Sequence, residues 1–198
     1  MKLVLATQNP KKLKEMNESR SHFGVEVVIE AELGVRIEVE ETGETFTDNA
    51  RLKATAVMQA TGLPAVADDS GLCVDALNGG PGVYSARFGG EGLDDKGRYT
   101  LLLEMLRGQT DRAAHFHTSI VCAFPNGDEL VCEGECPGTI AFAPMGEGGF
   151  GYDPVFFVPE LRKTFGQLTA EEKASVSHRG KALRAFAAAL DDYLKGNE

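Results

Sequence analysis

The sequence predicts an α/β fold: a mixed sheet with flanking helices, arranged as two lobes around a central cleft. Three features carry that prediction, namely a β-α-β opening, a β-hairpin signal in the middle of the chain and a long amphipathic helix at the end. Residues 2–6, KLVLA, are apolar and branched enough for a short strand. Asn9 follows as a helix cap and Pro10 as the first helical residue, where its missing N–H costs nothing. Leu13, Met16 and Phe23 suit the inward side of that helix, and Val25 to Ile29 reads as the next strand. From Thr45, the positions Phe46, Ala50, Ala54, Val57, Met58 and Thr61 repeat at helical spacing until Gly62 and Pro64 close the segment. LPAVADD then reads as a further strand. A polar, glycine-rich stretch runs from Asn78 to Asp95, and Tyr99 to Leu106 supplies a leucine-rich helix. Residues 114–124 and 128–135 alternate about Pro125-Asn126-Gly127-Asp128, which predicts an antiparallel hairpin. From about Ser177 a last helix lines Leu183, Phe186, Ala187, Leu190 and Leu194 along one face.

Composition bounds the function. At 198 residues, 42% hydrophobic and 25% charged, the chain is long enough for one domain with a real core. Thirty acidic against 20 basic residues give a formal net charge of −10, which argues against a sequence-independent grip on a nucleic-acid backbone. Any phosphate ligand must therefore be met locally, by a few bases or a metal ion. No apolar run approaches the roughly 18 residues that a membrane span needs, so no membrane partner and a cytoplasmic location are expected. Cys73, Cys122, Cys132 and Cys136 match neither a C-x-x-C pair nor a zinc-finger layout, and idle thiols in a reducing compartment are expected.

Five stretches can carry chemistry, and each has a structural reading beside the functional one. Asp68 and Asp69 lie in VADDSGLCVD; neighbours on a strand face opposite sides, so both open on one cleft only where the strand ends, and Ser70-Gly71 suits such an ending. A carboxylate there can hold a divalent cation or take a proton from water, while the same residues also suit a plain turn. Glu38, Glu40, Glu41 and Glu44 form a second acidic group, either metal ligands or a solvated loop complementing a helix start. Thr7, Gln8, Asn9, Pro10, Lys11 and Lys12 place a helix N-terminus beside two lysines, a phosphate seat that lacks any P-loop or dinucleotide-binding pattern. GGFGYDP, with Phe150, Gly151, Tyr152 and Asp153, offers rings for stacking and groups to read a base edge, or simply a turn packing its aromatics inward. Ser177-His178-Arg179, with Lys173 before it, makes another anion-friendly helix start or a capping fragment. His115 and His117 share a strand face without a third ligand nearby, and an exposed face outweighs a metal site.

Taken in order, LATQNPKK, EETGETFTDNARLKA (40–54), ADDSGLCVDALNGGPGVYSARF (67–88), GGFGYDPVFF (148–157) and EEKASVSHRGKAL (171–183) closely resemble the inosine and xanthosine triphosphate pyrophosphatase family. The resemblance covers essentially the whole chain. It implies a magnesium-dependent hydrolase that converts non-standard purine nucleoside triphosphates (ITP, dITP, XTP) to the monophosphate and pyrophosphate, keeping them out of DNA and RNA. It also implies a single two-lobed domain over 1–198 and a homodimer.

Carried over by position, the resemblance makes Thr7 to Lys12 the phosphate loop and Lys53 a further phosphate partner. Asp69 becomes the proton acceptor and a Mg2+ ligand, Glu40 the second carboxylate and Ser70 a substrate contact, with Glu41 and Asp68 close alternatives. Phe150, Gly151, Tyr152 and Asp153 become the base pocket, completed by Lys173, His178 and Arg179. Gln8 stands where many relatives have a small residue, and Pro10 stiffens the helix start, so the contacts of this loop are left to the structure. Two other readings remain: a nucleotide-binding regulator without turnover, and a pyrophosphatase of modified pyrimidine nucleotides.

Overall fold

The computed structural model describes residues 1–18 and 23–196. Seven strands form one sheet in the order β2-β1-β3-β4-β5-β6-β7. The strands are β1 (Lys2–Leu5), β2 (Glu26–Ile29), β3 (Ala65–Val74), β4 (Ala113–Ala123), β5 (Glu129–Ile140), β6 (Phe156–Val158) and β7 (Lys163–Thr164). The helices are α1 (Pro10–Glu18), α2 (Phe46–Thr61), α3 (Asp95–Met105), α4 (Ala170–Val176) and α5 (His178–Gly196). β1 pairs in parallel with both β2 and β3, whereas β6 pairs antiparallel with β5 and β7, so the sheet is mixed as expected. β4 and β5 are neighbours joined through the turn Phe124–Asp128, where the Phe124 amide donates to the Asp128 carbonyl. A link this short permits only the antiparallel hairpin that the sequence predicted.

Two compact units divide the chain. The first comprises residues 1–69, 118–134 and 181–198; the second comprises 70–117 and 135–180. In the first unit the alternation of β-strand side chains sorts two cores. Leu3, Leu5, Val66 and Ile120 pack with Met16 of α1 and with Ala182, Leu183, Phe186 and Leu190 of α5. Val4, Ala6, Ala65, Ala67 and Val121 pack with Ala50, Ala54 and Val57 of α2. The second set is rich in alanine, so α2 lies close to the strands, while the first fills its space with leucine and phenylalanine. Each such fully buried leucine or phenylalanine contributes about 1.5–3 kcal/mol.

The second unit has one core, in which Leu102 and Leu106 at the end of α3 meet Phe116, Ile140, Phe156 and Phe165. Arg112 is buried there with no carboxylate bonded to it, and burial lowers its pKa. Its guanidinium instead donates to three carbonyls, those of Ile140, Leu106 and Ala141, at 2.7, 3.1 and 2.8 Å. It thereby satisfies the last turn of α3 and the end of β5 together. All four cysteines are free thiols, as expected. Among the described residues no helix is long and apolar enough to cross a membrane.

Several local expectations are corrected. Phe23 lies beyond α1, and residues 19–22 fall outside the described residues; it is buried all the same, edge-on to Phe186 at 5.3 Å. α3 begins at Asp95, four residues before the predicted start, because Asp94 caps it by accepting the Gly97 amide at 2.7 Å. The last helix starts at His178, as predicted from about Ser177, but a short helix absent from the sequence reading, α4, precedes it and ends at Ser177, whose ψ of 155° is extended. Ser177 Oγ accepts the Gly180 amide at 3.0 Å and so starts α5. Gly180 permits the break, since a Cβ there would overlap the Ala174 carbonyl.

Candidate active site

Asp68 and Asp69 do not sit at a strand end. β3 runs through them to Val74, so the two carboxylates leave opposite faces of one strand. Each meets a lysine from the helix on its own side. Asp68, on the face shared with Val66, lies 3.1 Å from Lys12 Nζ of α1. Asp69, on the face shared with Ala67, lies 3.4 Å from Lys53 Nζ of α2. Both acids are nearly inaccessible, with side chains 1% and 8% exposed, so neither charge is offset by water.

The α2 side is the more elaborate. Thr45 caps the helix by accepting the Asp48 amide at 3.1 Å, which fixes the phase of the helix. Asn49 and Lys53, one turn apart, then face the same carboxylate. Asn49 Nδ2 donates to Asp69 Oδ2 at 3.2 Å, and its Oδ1 accepts the Gly43 amide at 2.8 Å. Lys53 also donates to Glu41 at 2.7 Å, which ties the acidic segment to α2. Glu41 is therefore turned inward, whereas Glu40 is exposed beside it.

Burial drives the pKa of Asp69 above the ordinary aspartate value, against the pull of Lys53 and Lys12, with Glu41 and Asp68 adding to the rise. For Lys53, burial alone would lower the pKa, but Asp69, Asp68 and Glu41 together outweigh it and raise it. The result is a dry carboxylate that holds a proton more readily than usual, beside a lysine that keeps its charge.

Thr7 to Lys12, expected to seat phosphate, are arranged as an Asn-capped helix start. Asn9 Oδ1 accepts the Lys11 and Lys12 amides at 2.9 and 3.3 Å, and the Asn9 amide donates to Thr7 Oγ1 at 3.3 Å. Two of the helix donors expected to seat an anion are thus used by the cap itself. Gln8 braces a neighbouring segment, donating to the Ile37 carbonyl at 2.8 Å and accepting from Arg36 Nε at 3.3 Å. Glu30 holds the same segment by accepting the Ile37 amide at 3.0 Å.

In the second unit Asp153 is the hub. Its Oδ2 accepts the Phe150 amide at 2.9 Å and Lys173 Nζ at 2.7 Å. Gly149, at φ 72°, is required beneath it, because a Cβ there would overlap that carboxylate. Lys173 Nζ also stands 4.6 Å from the Phe150 ring centroid, and Arg179 Cζ stands 5.9 Å from it. Arg179 donates to Ser70 Oγ at 2.8 Å. Gly151 donates its amide to Asp95 at 2.9 Å.

The two aromatic rings of this loop differ. Tyr152 is buried in the core, and its hydroxyl donates to the Ser85 carbonyl at 2.8 Å, with burial raising its pKa strongly. Phe150 is the half-exposed ring. His178 is also buried, stacked on Phe116 at 4.6 Å and 9°.

Sequence reasoning missed Asn49 and Asp95. Asn49 had a readable signal, its four-residue spacing from Lys53, which puts both on one helix face. Asp95 had none, since its partner lies 56 residues away.

Among the described residues no three His, Cys, Asp or Glu side chains converge into a ready-made metal cage. His115 and His117 lie half-buried on one strand face, opposite the buried Ala114 and Phe116. The carboxylates of Asp69 and Glu41, which share Lys53, nevertheless offer a pair of hard oxygen donors. That pair fits a cation which takes one or two protein carboxylates and fills its other positions with phosphate and water.

The model of the Ham1 family matches residues 3–189. A protein of an Exiguobacterium species named dITP/XTP pyrophosphatase is 48% identical over 196 residues, covering 99% of this chain and all of the relative. One of the same name from Thermus thermophilus is 52% identical over 194 residues, covering 97% of this chain and 93% of the relative. The solved structure of a HAM1 protein from Coxiella burnetii superposes with a TM-score of 0.90 at 42% identity, covering 97% of this chain and 99% of that one.

Proposed function

Since the chain belongs to the Ham1 family, we propose that it hydrolyses non-standard purine nucleoside triphosphates, ITP, dITP and XTP, to the monophosphate and pyrophosphate. The observation that carries this reading is the buried Asp69, held at one oxygen by Asn49 and at the other by Lys53. Its raised pKa suits a group that takes a proton from water near neutral pH. Asp69 activates the water that attacks the α-phosphorus, and pyrophosphate leaves. Lys12 and Lys53 hold the triphosphate and stabilise its developing charge in a site that excludes water. Asp69 with Glu40 or its neighbour Glu41 would hold magnesium, which would supply further neutralisation of the phosphate oxygens.

Phe150 provides the face on which the purine stacks, with Lys173 and Arg179 above and beside it. Hypoxanthine and xanthine present an acceptor at position 6 and a donor at N1, whereas adenine presents the reverse. A site matched to the first pattern leaves buried polar groups unpaired when ATP enters. Guanine shares both groups and is refused through its 2-amino group. The reading includes a cytoplasmic homodimer, whose mass light scattering measures directly.

The test is pyrophosphate release from ITP, XTP, dITP, ATP and GTP, each with magnesium and with a chelator. Magnesium-dependent release from the first three, with little from ATP and GTP, is the expected outcome. Comparable turnover of all purine triphosphates would refute the base reading. Binding without turnover would make the protein a nucleotide-binding regulator, and preference for modified pyrimidine nucleotides would move the substrate class.

A further inference from the structure

Asp95 lies outside every stretch that the sequence marked for chemistry, yet it is bonded to the middle of the purine loop. Three successive residues of that loop are anchored by three different groups. The Phe150 amide goes to Asp153, the Gly151 amide to Asp95 Oδ2 and the Tyr152 hydroxyl to the Ser85 carbonyl. Gly151 has φ 61°, and no atom lies within 4 Å of where its Cβ would stand. The turn around Gly151 is closed by the Asp153 amide on the Phe150 carbonyl at 3.2 Å, and the bond to Asp95 adds a tether from a distant element to a residue with wide backbone freedom.

Asp95 is built for that task. The residue before it, Asp94, already caps α3, so Asp95 is released from capping. Arg98, one turn on and with a side chain four-fifths buried, approaches the other Asp95 oxygen at 3.4 Å. α3 itself is fixed in the core through the fully buried Leu102. The acceptor is therefore mounted on a rigid element rather than on another loop.

We propose that Asp95 is a positioning residue for purine recognition: by holding the Gly151 amide it sets the backbone that presents the Phe150 ring, and so governs discrimination between bases. This rests on the purine reading of the loop. Asp95 belongs to the set that grips the base, away from the bond that breaks, so its loss falls on KM and selectivity rather than on kcat.

Asp95→Ala, Asp95→Asn and the wild type are compared in two measurements. In steady-state kinetics with ITP and ATP, Asp95→Ala raises KM for ITP by about tenfold, the scale of one lost hydrogen bond to a charged group. Its kcat stays within about twofold and its ITP preference in kcat/KM falls in parallel. Asp95→Asn keeps an oxygen that can accept the Gly151 amide and restores most of both. In amide exchange by NMR, the Gly151 N–H is protected in the wild type and in Asp95→Asn and exchanges freely in Asp95→Ala.

Unchanged KM and selectivity in Asp95→Ala would overturn the proposal, as would a loss confined to kcat or Gly151 exchange that does not respond. If Asp95→Ala does not fold, the conservative variant decides: Asp95→Asn with lost selectivity and an unprotected Gly151 amide overturns the role of the bond. A wild type that turns over ITP and ATP alike defeats the purine reading instead, and the exchange measurement still judges the anchoring of Gly151.

Discussion

Replacing Asp69 by Asn removes a charge while leaving the shape of the site in place, and it separates two effects. An amide at this position still offers an oxygen to Asn49 Nδ2, and Lys53 keeps Glu41 at 2.7 Å, so the local packing survives. What is lost is the proton acceptor, and a positioned general base contributes about 10²–10⁴-fold to the rate. Pyrophosphate release from ITP should fall by that factor, with KM little changed. Stability should move the other way. Burial raises the folded-state pKa of Asp69, so the folded protein binds this proton more tightly than the unfolded chain does. Its favourable contribution is then complete below the unfolded aspartate pKa and is lost as pH rises through the folded pKa. At neutral pH the charged Asp69 opposes folding, and Asp69→Asn should melt higher than the wild type. Below about pH 4, where aspartate is protonated in either state, the difference should vanish. Melting scans from pH 3 to 8 read the sign directly, at about 2–4 °C for each kcal/mol in a chain of this length. A variant that keeps turnover within tenfold of the wild type would refute the base role. One that melts several degrees lower at neutral pH would refute the strained-carboxylate account.

Lys53→Met removes the largest charge effect that lowers the Asp69 pKa, so the acid limb of the pH–rate profile should move up while KM for ITP rises; a limb that stays put or moves down would show the coupling is absent. The Asp153–Lys173 pair is nearly inaccessible at 4% and 11% side-chain exposure. Removing one partner, as in Asp153→Asn, should cost about 3–5 kcal/mol in urea unfolding, and adding Lys173→Met should recover part of that. Simple additivity of the two changes would contradict the pairing. Burial pushes the Cys122 thiol up to about 12 and the Cys73 thiol up to about 11, so both should resist alkylation at pH 8 until the protein is unfolded. Rapid labelling of the native protein at either position would contradict this.

The opening and middle of the fold were legible because their signals are local. Asn9 with Pro10 marks a helix start, Thr45 and Gly62 bracket α2 as cap and left-handed stop, and Pro125-Asn126-Gly127-Asp128 marks the hairpin turn. The parts that were misread depend on partners far along the chain. β6 and β7 are three and two residues long, and sheet pairing rather than their own propensity makes them strands. The last helix was read from about Ser177, where α5 begins, but the seven-residue α4 before it was missed, because it is too short to show a period and Ser177 both ends it and starts α5. Which ring of GGFGYDP turns inward was equally hidden. Tyr152 is drawn in by a carbonyl 67 residues away, and Phe150 is left at the surface.

The strand through Asp68 and Asp69 shows why the acidic pair was found and yet half misread. A strand end was invoked to let both acids serve one cleft, but β3 continues, and strict alternation gives each acid its own face and its own lysine. The consequence is a division of labour between neighbours of identical chemistry. Asp68 is matched by Lys12 on the phosphate loop, so its charge fixes the start of α1. Asp69 shares Lys53 with Glu41, its second oxygen accepts from the neutral amide of Asn49, and burial raises its pKa against the pull of Lys53 and Lys12. A buried carboxylate whose pKa is raised in this way accepts a proton more readily than an ordinary aspartate. Exchanging the surroundings tests this reasoning more sharply than deleting either acid. Asn49→Lys would give Asp69 a second cation, lower its pKa and weaken it as a base. The acid limb of the rate profile should then fall, and turnover on the plateau should drop with it. A variant with normal turnover and an unmoved limb would show that the charges around Asp69 do not set its strength as a base.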